Sequence, residues 1–310
     1  MNELLSALTK EERLSLSLRA LYKKYGYAQY AMSKFEEYDL YAKNKEFLVS
    51  ESVITFTDTD GRLMALKPDV TLSIIRNTKD AVGVSKLFYN EHVYRVSGQT
   101  KCFKEITQVG LECLGKVDGG VLSEAVFLAE KSLSLISDSY ALELSSLDFV
   151  EAVLADAGLS REGTVEALRL ISEKNEQGLA ALCTREGLGE NERVATLALV
   201  SVYGDPKSVF KTLSALPLSK TSTDALSRLQ EVIEGVEKLG GGRGVRVDFS
   251  LLGNTKYYNG IAFQGFVEGV PTAALAGGQY DKLVKRVGAA SRGVGFAVYL
   301  DGLDAVGEEE

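Results

Sequence analysis

The clearest pattern of apolar and polar positions lies in two segments with alternating side chains, Leu87 to Val96 and Phe103 to Leu114. Successive side chains of a strand point to opposite faces, and both segments are rich in aromatic and β-branched residues. The pattern therefore predicts two long strands joined by a polar loop at 97–100. The predicted core face of the second strand carries Thr107, Val109, Leu111 and Cys113, and the opposite face carries Ile106, Gln108, Gly110, Glu112 and Leu114.

This opposite face is unusual because Gln108 and Glu112 flank Gly110 in the middle of a long strand. Glycine weakens a strand, but it lets another group approach the backbone closely. The arrangement indicates the floor of a small polar ligand site. A solvent-exposed sheet face is an equally good interpretation, since antiparallel sheets are often wet on one side.

The chain before these strands begins with apolar residues spaced three and four apart over residues 1–25, which predicts a helix. Thr9 is the predicted N-cap of its second part, and Gly26 is predicted to end it. The segment from Tyr27 to Phe35 is predicted to be extended and buried.

Val53 to Leu66 predicts a short hairpin around an Asp60-Gly61 turn. Pro68 suits the first position of a following helix that runs through Arg76, and Asp69 then lies in its first turn.

Beyond the central strands, the pattern predicts a helix from about Leu122 to Ser137 and a strand from Tyr140 to Leu147. Residues 148–240 then carry amphipathic helical spacing throughout and end in three glycines that indicate a hinge or linker. Strands return at Val245 to Leu252 and at Lys256 to Phe266.

The last elements are a short helix from Lys282 to Val287 and a strand from Gly293 to Leu300 that enters a terminal helix. Glycines at 277, 278, 293 and 295 permit close backbone packing. Together the elements predict an α+β fold, an antiparallel sheet flanked by helices. The predicted domains are a core of residues 1–147 and 241–310 and a helical insertion of residues 148–240.

Composition narrows the class of protein. The 310 residues carry a net charge of −8, which argues against a dominant electrostatic grip on nucleic acid. Three cysteines, with no CxxC, suit a reducing compartment, and the absence of a signal pattern or a long apolar run predicts a cytoplasmic protein.

His92, in the first central strand, is the one histidine and is predicted to be a sheet residue, so zinc sites and Ser-His or Cys-His mechanisms are disfavoured. The GVGF segment is a weak match to a dinucleotide-binding fingerprint and lacks its βαβ context.

Several segments resemble a known family. LFYNEHVYR and FKEITQVGLECLG are similar to motif 2 of class II aminoacyl-tRNA synthetases in its histidyl version, and LMALKPDVT is similar to the segment before it. KYYNGIAFQGF and AGGQYDKLV resemble the two histidine-specific segments, and GVGFAVYLDGL resembles motif 3. The matches cover about two thirds of the chain in the family's order.

The departures from that family concern its cations. Three arginines of the synthetases correspond to other residues in this chain, at Gly302, near Gly253 or Asn254, and near Cys102. Only the arginine of motif 2 is kept, as Arg95. Activation of an amino acid passes through a charged transition state that cationic groups stabilise, so this chain is expected to be non-catalytic. The chain also ends shortly after motif 3, so the anticodon-binding domain of the synthetases is expected to be missing.

This combination is similar to the regulatory subunits of ATP phosphoribosyltransferase, and Ser201 to Phe210 also resembles that family. The resemblance implies a partner, the short catalytic subunit, which the chain would activate and make sensitive to histidine. It implies a homodimer, paired through about Leu14 to Phe35, within a hetero-oligomer, with no tRNA, membrane, metal or cofactor. Two alternatives stay open: a class II enzyme with residual amino-acid activation, and a free-standing histidine-binding module.

The resemblance also implies how histidine is bound. Acidic and amide groups would hold the ammonium and the imidazole of histidine, and tyrosines would line the imidazole ring. Arg95 could then pair with a carboxylate, either a neighbour's or the ligand's. For the tyrosines ordinary packing is the alternative, and for Asp69 it is charge complementarity at a helix start. The family has a longer glutamate at Asp69 and an arginine at Gln279. The expected histidine-binding residues are Asp69, Thr71, Arg95, Gln108, Glu112, Tyr257, Tyr258 and Tyr280.

Overall fold

The computed structural model describes residues 7–45, 48, 53–78, 83–96, 102–253, 257–287 and 292–303. In these ranges the strands are β1 (Ala28–Gln29), β2 (Phe35–Glu37), β3 (Thr55–Thr57), β4 (Leu63–Leu66), β5 (Val84–Val96), β6 (Phe103–Gly115), β7 (Tyr140–Ser146), β8 (Val245–Val247), β9 (Asn259–Val267), β10 (Leu275–Gln279) and β11 (Arg292–Tyr299). The helices are α1 (Lys10–Lys24), α2 (Tyr38–Ala42), α3 (Thr71–Asn77), α4 (Gly119–Ile136), α5 (Leu147–Asp156), α6 (Arg161–Ser172), α7 (Glu176–Arg185), α8 (Glu190–Ser201), α9 (Pro206–Leu213), α10 (Lys220–Lys238) and α11 (Asp281–Val287).

The central element is an eight-stranded sheet with the order β1-β5-β6-β11-β10-β9-β7-β8. The predicted hairpin is confirmed as β5 and β6, whose antiparallel register runs from Val84 opposite Gly115 to Val96 opposite Phe103. The interior pairs are antiparallel, as predicted. At the two edges β1 joins β5 and β8 joins β7 in parallel, which the alternation of side chains did not reveal.

Both faces of this sheet are covered. On one face, Val109, Leu111 and Cys113 belong to a large core with α1, α4, α5 and α10. On the other, α2, α3, α11 and the small sheet β2-β4-β3 form a second core. Gln108 and Glu112 are only 3% and 2% exposed, so the solvent-exposed interpretation of their face was wrong.

The described part of the predicted N-terminal helix is confirmed, but the burial predicted for Tyr27 to Phe35 was wrong. Only Tyr27 of that segment is buried and Phe35 is 49% exposed, because β1 lies at the edge of the sheet.

Thr9 caps α1 in a capping box with Glu12, and Gly26 follows that helix at a φ of 82°. The predicted hairpin is present as β3 and β4, and Gly61 adopts a φ of 80° in the turn between them.

The helix predicted to begin at Pro68 begins instead at Thr71, because the Asp69 carboxylate accepts a hydrogen bond from the Leu72 backbone N–H at 2.8 Å and ends the loop there. Helix α4 begins at Gly119 rather than Leu122 because Asp118 caps it.

In the last third of the chain the observed strands are shorter than predicted. β8 ends at Val247, and β9 begins at Asn259, after the paired tyrosines. Residues 301–303 form a turn, and the rest of the predicted terminal helix, 304–310, lies outside the described residues.

Helices α5 to α10 occupy the region between β7 and β8, and their buried side chains join the core under the sheet. The glycines predicted to form a hinge are anchored, because the buried Glu130 carboxylate of α4 accepts hydrogen bonds from the Gly242 and Gly244 backbones at 2.6 and 2.9 Å. The division into a core and an insertion stays a prediction. Among the described helices, none is both long enough and apolar enough to cross a membrane.

Candidate functional site

A cavity of about 70 Å³ lies on the second face of the sheet, over β6 and β11. The segments before α3, before β9 and before α11 complete its walls. The structure brings all eight predicted site residues to this cavity: Asp69, Thr71, Arg95, Gln108, Glu112, Tyr257, Tyr258 and Tyr280. Their assignment to histidine stays a prediction.

Glu112 lies at the buried end of the cavity. Its carboxyl accepts hydrogen bonds from the Thr71 hydroxyl at 2.6 Å and from the Tyr280 hydroxyl. Burial raises the pKa of Glu112 to about 8, although both hydrogen bonds act in the opposite direction, and the nearby Asp69 raises it further. The free protein therefore holds this carboxyl mainly protonated at neutral pH.

Glycines on β11 make room for this arrangement. A Cβ at Gly295 would overlap the Glu112 carboxylate and approach the Leu111 carbonyl at 2.5 Å, and one at Gly293 would overlap the Tyr280 ring. The close packing predicted for these glycines is therefore confirmed, and what packs there are the site's own side chains.

The gap at Gly110 is occupied by the protein itself. Tyr89 lies directly opposite Gly110 in the β5–β6 register, and a Cβ at Gly110 would stand 2.5 Å from the Tyr89 hydroxyl oxygen. Sequence reasoning missed Tyr89 as a pocket residue. The signal was available, because the predicted hairpin places a large aromatic residue across from the glycine.

Asp69 serves both of the roles considered for it. Its carboxylate accepts the Leu72 N–H at the start of α3, and it also lines the cavity. Burial raises the pKa of Asp69, while the Leu72 hydrogen bond and the charge of Arg95 act against that rise.

Arg95 lies half-buried at the mouth of the cavity, beside Tyr299, a second pocket residue that sequence reasoning missed. Its Nε donates a hydrogen bond to the Pro68 carbonyl at 2.9 Å. Among the described residues, no carboxylate forms an ion pair with Arg95, and its pairing with a neighbour's or the ligand's carboxylate stays a prediction. The Arg95 side chain also donates a hydrogen bond to the Tyr299 hydroxyl, and both residues line the cavity.

The predicted tyrosines form one aromatic wall. The rings of Tyr257 and Tyr258 stand edge to face with centroids 4.8 Å apart, and Tyr257 meets Tyr280 in the same way at 6.0 Å. Tyr257 and Tyr280 are buried, whereas Tyr258 is half-buried at the mouth. The three tyrosines therefore pack against one another, as the packing interpretation expects, and all three also line the cavity.

At the other positions where the histidyl-tRNA synthetases carry arginines, the described residues of this chain supply no cation to the cavity. Gly253 and Gly302 are exposed loop residues, Cys102 is exposed at the start of β6, and Asn254 lies outside the described residues. Arg95 is the one cationic residue among the described residues that line the cavity. Gln279 does not line it, because its side chain accepts the Ile261 N–H on the other face of the sheet.

Two further features lie outside this cavity. His92 is an exposed sheet residue, 3.3 Å from the Thr107 hydroxyl, as predicted. A larger cavity of about 730 Å³ lies between α4, α10 and the ends of β9 and β11, and it contains none of the predicted site residues. Charges of both signs line it, with Arg228 paired to Asp148 and Arg292 close to Asp281. Among the described residues, no cluster of three or more His, Cys, Asp or Glu side chains could hold a metal ion.

Solved structures similar to this chain share its fold. One described as an ATP phosphoribosyltransferase regulatory subunit/histidyl-tRNA synthetase from Bacillus halodurans matches with a TM-score of 0.83 at 22% identity, over 96% of this chain and 79% of that chain. A chain of the ATP phosphoribosyl transferase (HisG:HisZ) complex from Thermotoga maritima matches with a TM-score of 0.74 at 18% identity, over 95% of this chain and 99% of that chain.

Sequence relatives carry the comparison further. The histidyl-tRNA synthetase family model matches residues 2–303. An ATP phosphoribosyltransferase regulatory subunit from Alkaliphilus metalliredigens is 27% identical over 287 residues, 90% of this chain and 72% of the relative. The protein of the same name from Clostridium kluyveri is 30% identical over 302 residues, 95% of this chain and 77% of the relative. The chain therefore has the histidyl-tRNA synthetase fold and belongs to the family of ATP phosphoribosyltransferase regulatory subunits.

Proposed function

We propose that this chain senses free histidine in the cavity around Glu112 and thereby inhibits a short-form ATP phosphoribosyltransferase catalytic subunit. As a member of its family, the chain is a non-catalytic regulatory subunit of histidine biosynthesis that works in a hetero-oligomer with a catalytic partner. Histidine as effector, a homodimer of this chain within that assembly and a cytoplasmic location are the further parts of the proposal.

The observation that carries the proposal is the set of polar side chains that face the cavity. Gln108 is 3% exposed and lines the cavity, and none of the hydrogen bonds among the described residues involves its side-chain amide. Its amide is not among the fully inaccessible polar atoms that lack a partner, so it faces the cavity and is open to a ligand. Arg95 likewise has no carboxylate partner in the described part of the chain.

The charges of the cavity match a free amino acid with a basic ring. Two buried carboxyl groups, Asp69 and Glu112, favour an ammonium or an imidazolium, and Arg95 at the mouth favours a carboxylate. Aromatic walls accept a flat ring. In the proposed orientation, the cationic groups of histidine point toward Glu112 and Asp69 and its carboxylate points toward Arg95.

The cavity volume sets a condition on binding. At about 70 Å³ the cavity is well below the roughly 300–1,000 Å³ that is usual for ligand pockets. The half-buried residues of the mouth, Arg95, Tyr258 and Tyr299, therefore move outward when the ligand enters. The buried residues around Glu112 are braced by hydrogen bonds and stay in place.

Co-expression with a short-form ATP phosphoribosyltransferase tests the regulatory role. The complex is expected to be active, the catalytic subunit alone to be less active, and histidine to inhibit the complex. A complex that forms but is indifferent to histidine would leave the family assignment intact and remove the sensing role.

Glu112→Gln tests the site, because it keeps the shape of the side chain but cannot ionise, whereas the parent carboxyl can release its proton to pair with a cationic ligand. Hydrogen bonds to charged groups contribute roughly 1.5–3 kcal/mol, so histidine should bind about ten- to a hundredfold more weakly in calorimetry. By linkage, inhibition of the partner should weaken to the same extent while activation is retained. Glu143→Gln, on the same sheet face but outside the cavity, is the matched control and should bind as the parent does.

A residual amino-acid-activating enzyme is the competing function. The single cation of the cavity speaks against it, since transfer of an adenylyl group develops negative charge that one arginine would have to stabilise alone. A free-standing histidine-binding module differs from the proposal only in its partner, which the co-expression assay addresses.

A further inference from the structure

Tyr89 is a pocket residue to which the family resemblance assigned no role. It is 2% exposed and lies on β5, directly opposite Gly110 of β6. The end of its phenol ring covers the Gly110 backbone on the face that carries Gln108 and Glu112, and it lines the cavity. The hydroxyl is therefore buried and directed at the proposed ligand site.

Two other hydroxyls around Glu112 are already engaged. Thr71 and Tyr280 both donate to the Glu112 carboxyl. By contrast, none of the hydrogen bonds among the described residues involves the Tyr89 hydroxyl. The Tyr89 hydroxyl is not among the fully inaccessible polar atoms that lack a partner, so it opens onto the cavity that Tyr89 lines. Buried tyrosines usually have a hydrogen-bond partner, and here a ligand in the cavity can supply it.

The register of β6 places this hydroxyl between the two ends of the site. Gln108 and Glu112 are four residues apart, so their Cα atoms are separated by about 13 Å along the strand. Gly110 is halfway between them, and the Tyr89 hydroxyl stands over it. A ligand that contacts both Gln108 and Glu112 has to pass over this hydroxyl.

We propose that the Tyr89 hydroxyl hydrogen-bonds the bound amino acid directly, as a third polar contact between Gln108 and Glu112. This inference rests on the proposed histidine site and adds a residue that distinguishes its ligand. The competing interpretation is that Tyr89 only packs on Gly110, with its ring shielding the glycine backbone. Tyr89→Phe separates the two, because it keeps the ring and removes the hydroxyl.

Calorimetry with L-histidine and denaturant unfolding of the free protein form the test. Tyr89→Phe should weaken histidine binding by about three- to tenfold, the size of one hydrogen bond between neutral groups. The unfolding midpoint of the free variant should equal or exceed that of the parent, since the hydroxyl has no partner to lose.

Tyr22→Phe is the matched control. Tyr22 is also fully buried, but its hydroxyl is 2.9 Å from the Ser132 hydroxyl in the other core. This variant should lower the unfolding midpoint of the free protein and leave histidine binding unchanged, the reverse of the expected pattern for Tyr89→Phe.

Two outcomes would overturn the inference alone. One is histidine binding by Tyr89→Phe equal to that of the parent; the other is a fall in its unfolding midpoint as large as that of Tyr22→Phe, which would show that the hydroxyl is already bonded within the protein. A folded parent that binds no histidine would overturn the proposed function and this inference together.

Discussion

At the residue scale, the pKa of Glu112 makes the stability of the free protein depend on pH. The folded protein holds the Glu112 proton up to about pH 8, whereas the unfolded chain releases it near pH 4.5. Between these values the unfolded state binds fewer protons, so stability falls as pH rises. At about 1.4 kcal/mol for each pH unit, the upper limit of the loss at pH 8 is about 5 kcal/mol.

Glu112→Gln cannot ionise and should escape this loss. Relative to the parent, the variant should gain several kcal/mol of stability between pH 5 and pH 8, measured by urea unfolding at both pH values. Asp69 titrates in both proteins and cancels in the comparison. Equal differences at the two pH values would show that Glu112 is not buried as a protonated acid.

At the element scale, Glu130 connects α4 to the glycines that lead into β8. Its carboxylate is 2% exposed and accepts two backbone hydrogen bonds, from Gly242 and Gly244. Glu130→Ala leaves both N–H groups without their acceptor and should lower the free energy of unfolding by about 2–4 kcal/mol. Glu231→Ala, which removes an exposed carboxylate from α10, should change it by less than about 0.5 kcal/mol. Similar values for the two variants in urea unfolding would mean that the glycine segment is a flexible linker after all.

At the scale of the whole molecule, the single cavity cation predicts the absence of synthetase chemistry. The purified protein should show no histidine-dependent exchange of pyrophosphate into ATP, with a histidyl-tRNA synthetase as the positive control. Exchange that scales with protein concentration over independent preparations would revive the enzyme interpretation.

Self-association is the second prediction at this scale. The proposed pairing region, Leu14 to Phe35, exposes apolar side chains: Leu16 is 48% exposed and Phe35 49%. One self-complementary patch is the commonest way to build an oligomer, so light scattering at micromolar concentration should give about twice 33.6 kDa. Phe35→Glu should shift the mass toward the monomer, and Phe103→Glu, an equally apolar but remote change, should not. A monomeric parent would contradict the proposed pairing.

The sequence by itself determined the β5–β6 hairpin, its core face and eight of the residues that line the pocket, but not Tyr89 or Tyr299. Strand alternation is a local property, and the motifs that carry Asp69, Glu112 and Tyr280 are contiguous in the sequence. Both signals can therefore be recognised without knowing the fold. It could not show whether the face with Gln108 was wet or buried. That depends on α3, α11 and the small sheet, which come from distant parts of the chain.

The tertiary structure decided what approaches the site. It placed the Arg95 side chain on the Pro68 carbonyl and closed the face of Gln108 with α3, α11 and the small sheet. These contacts join residues that no local pattern relates, whereas the Tyr89 position over Gly110 follows from the hairpin register and the start of α3 from the local Asp69–Leu72 hydrogen bond. Periodicity tells which side chains share a face, but which groups approach that face depends on how the separate elements pack.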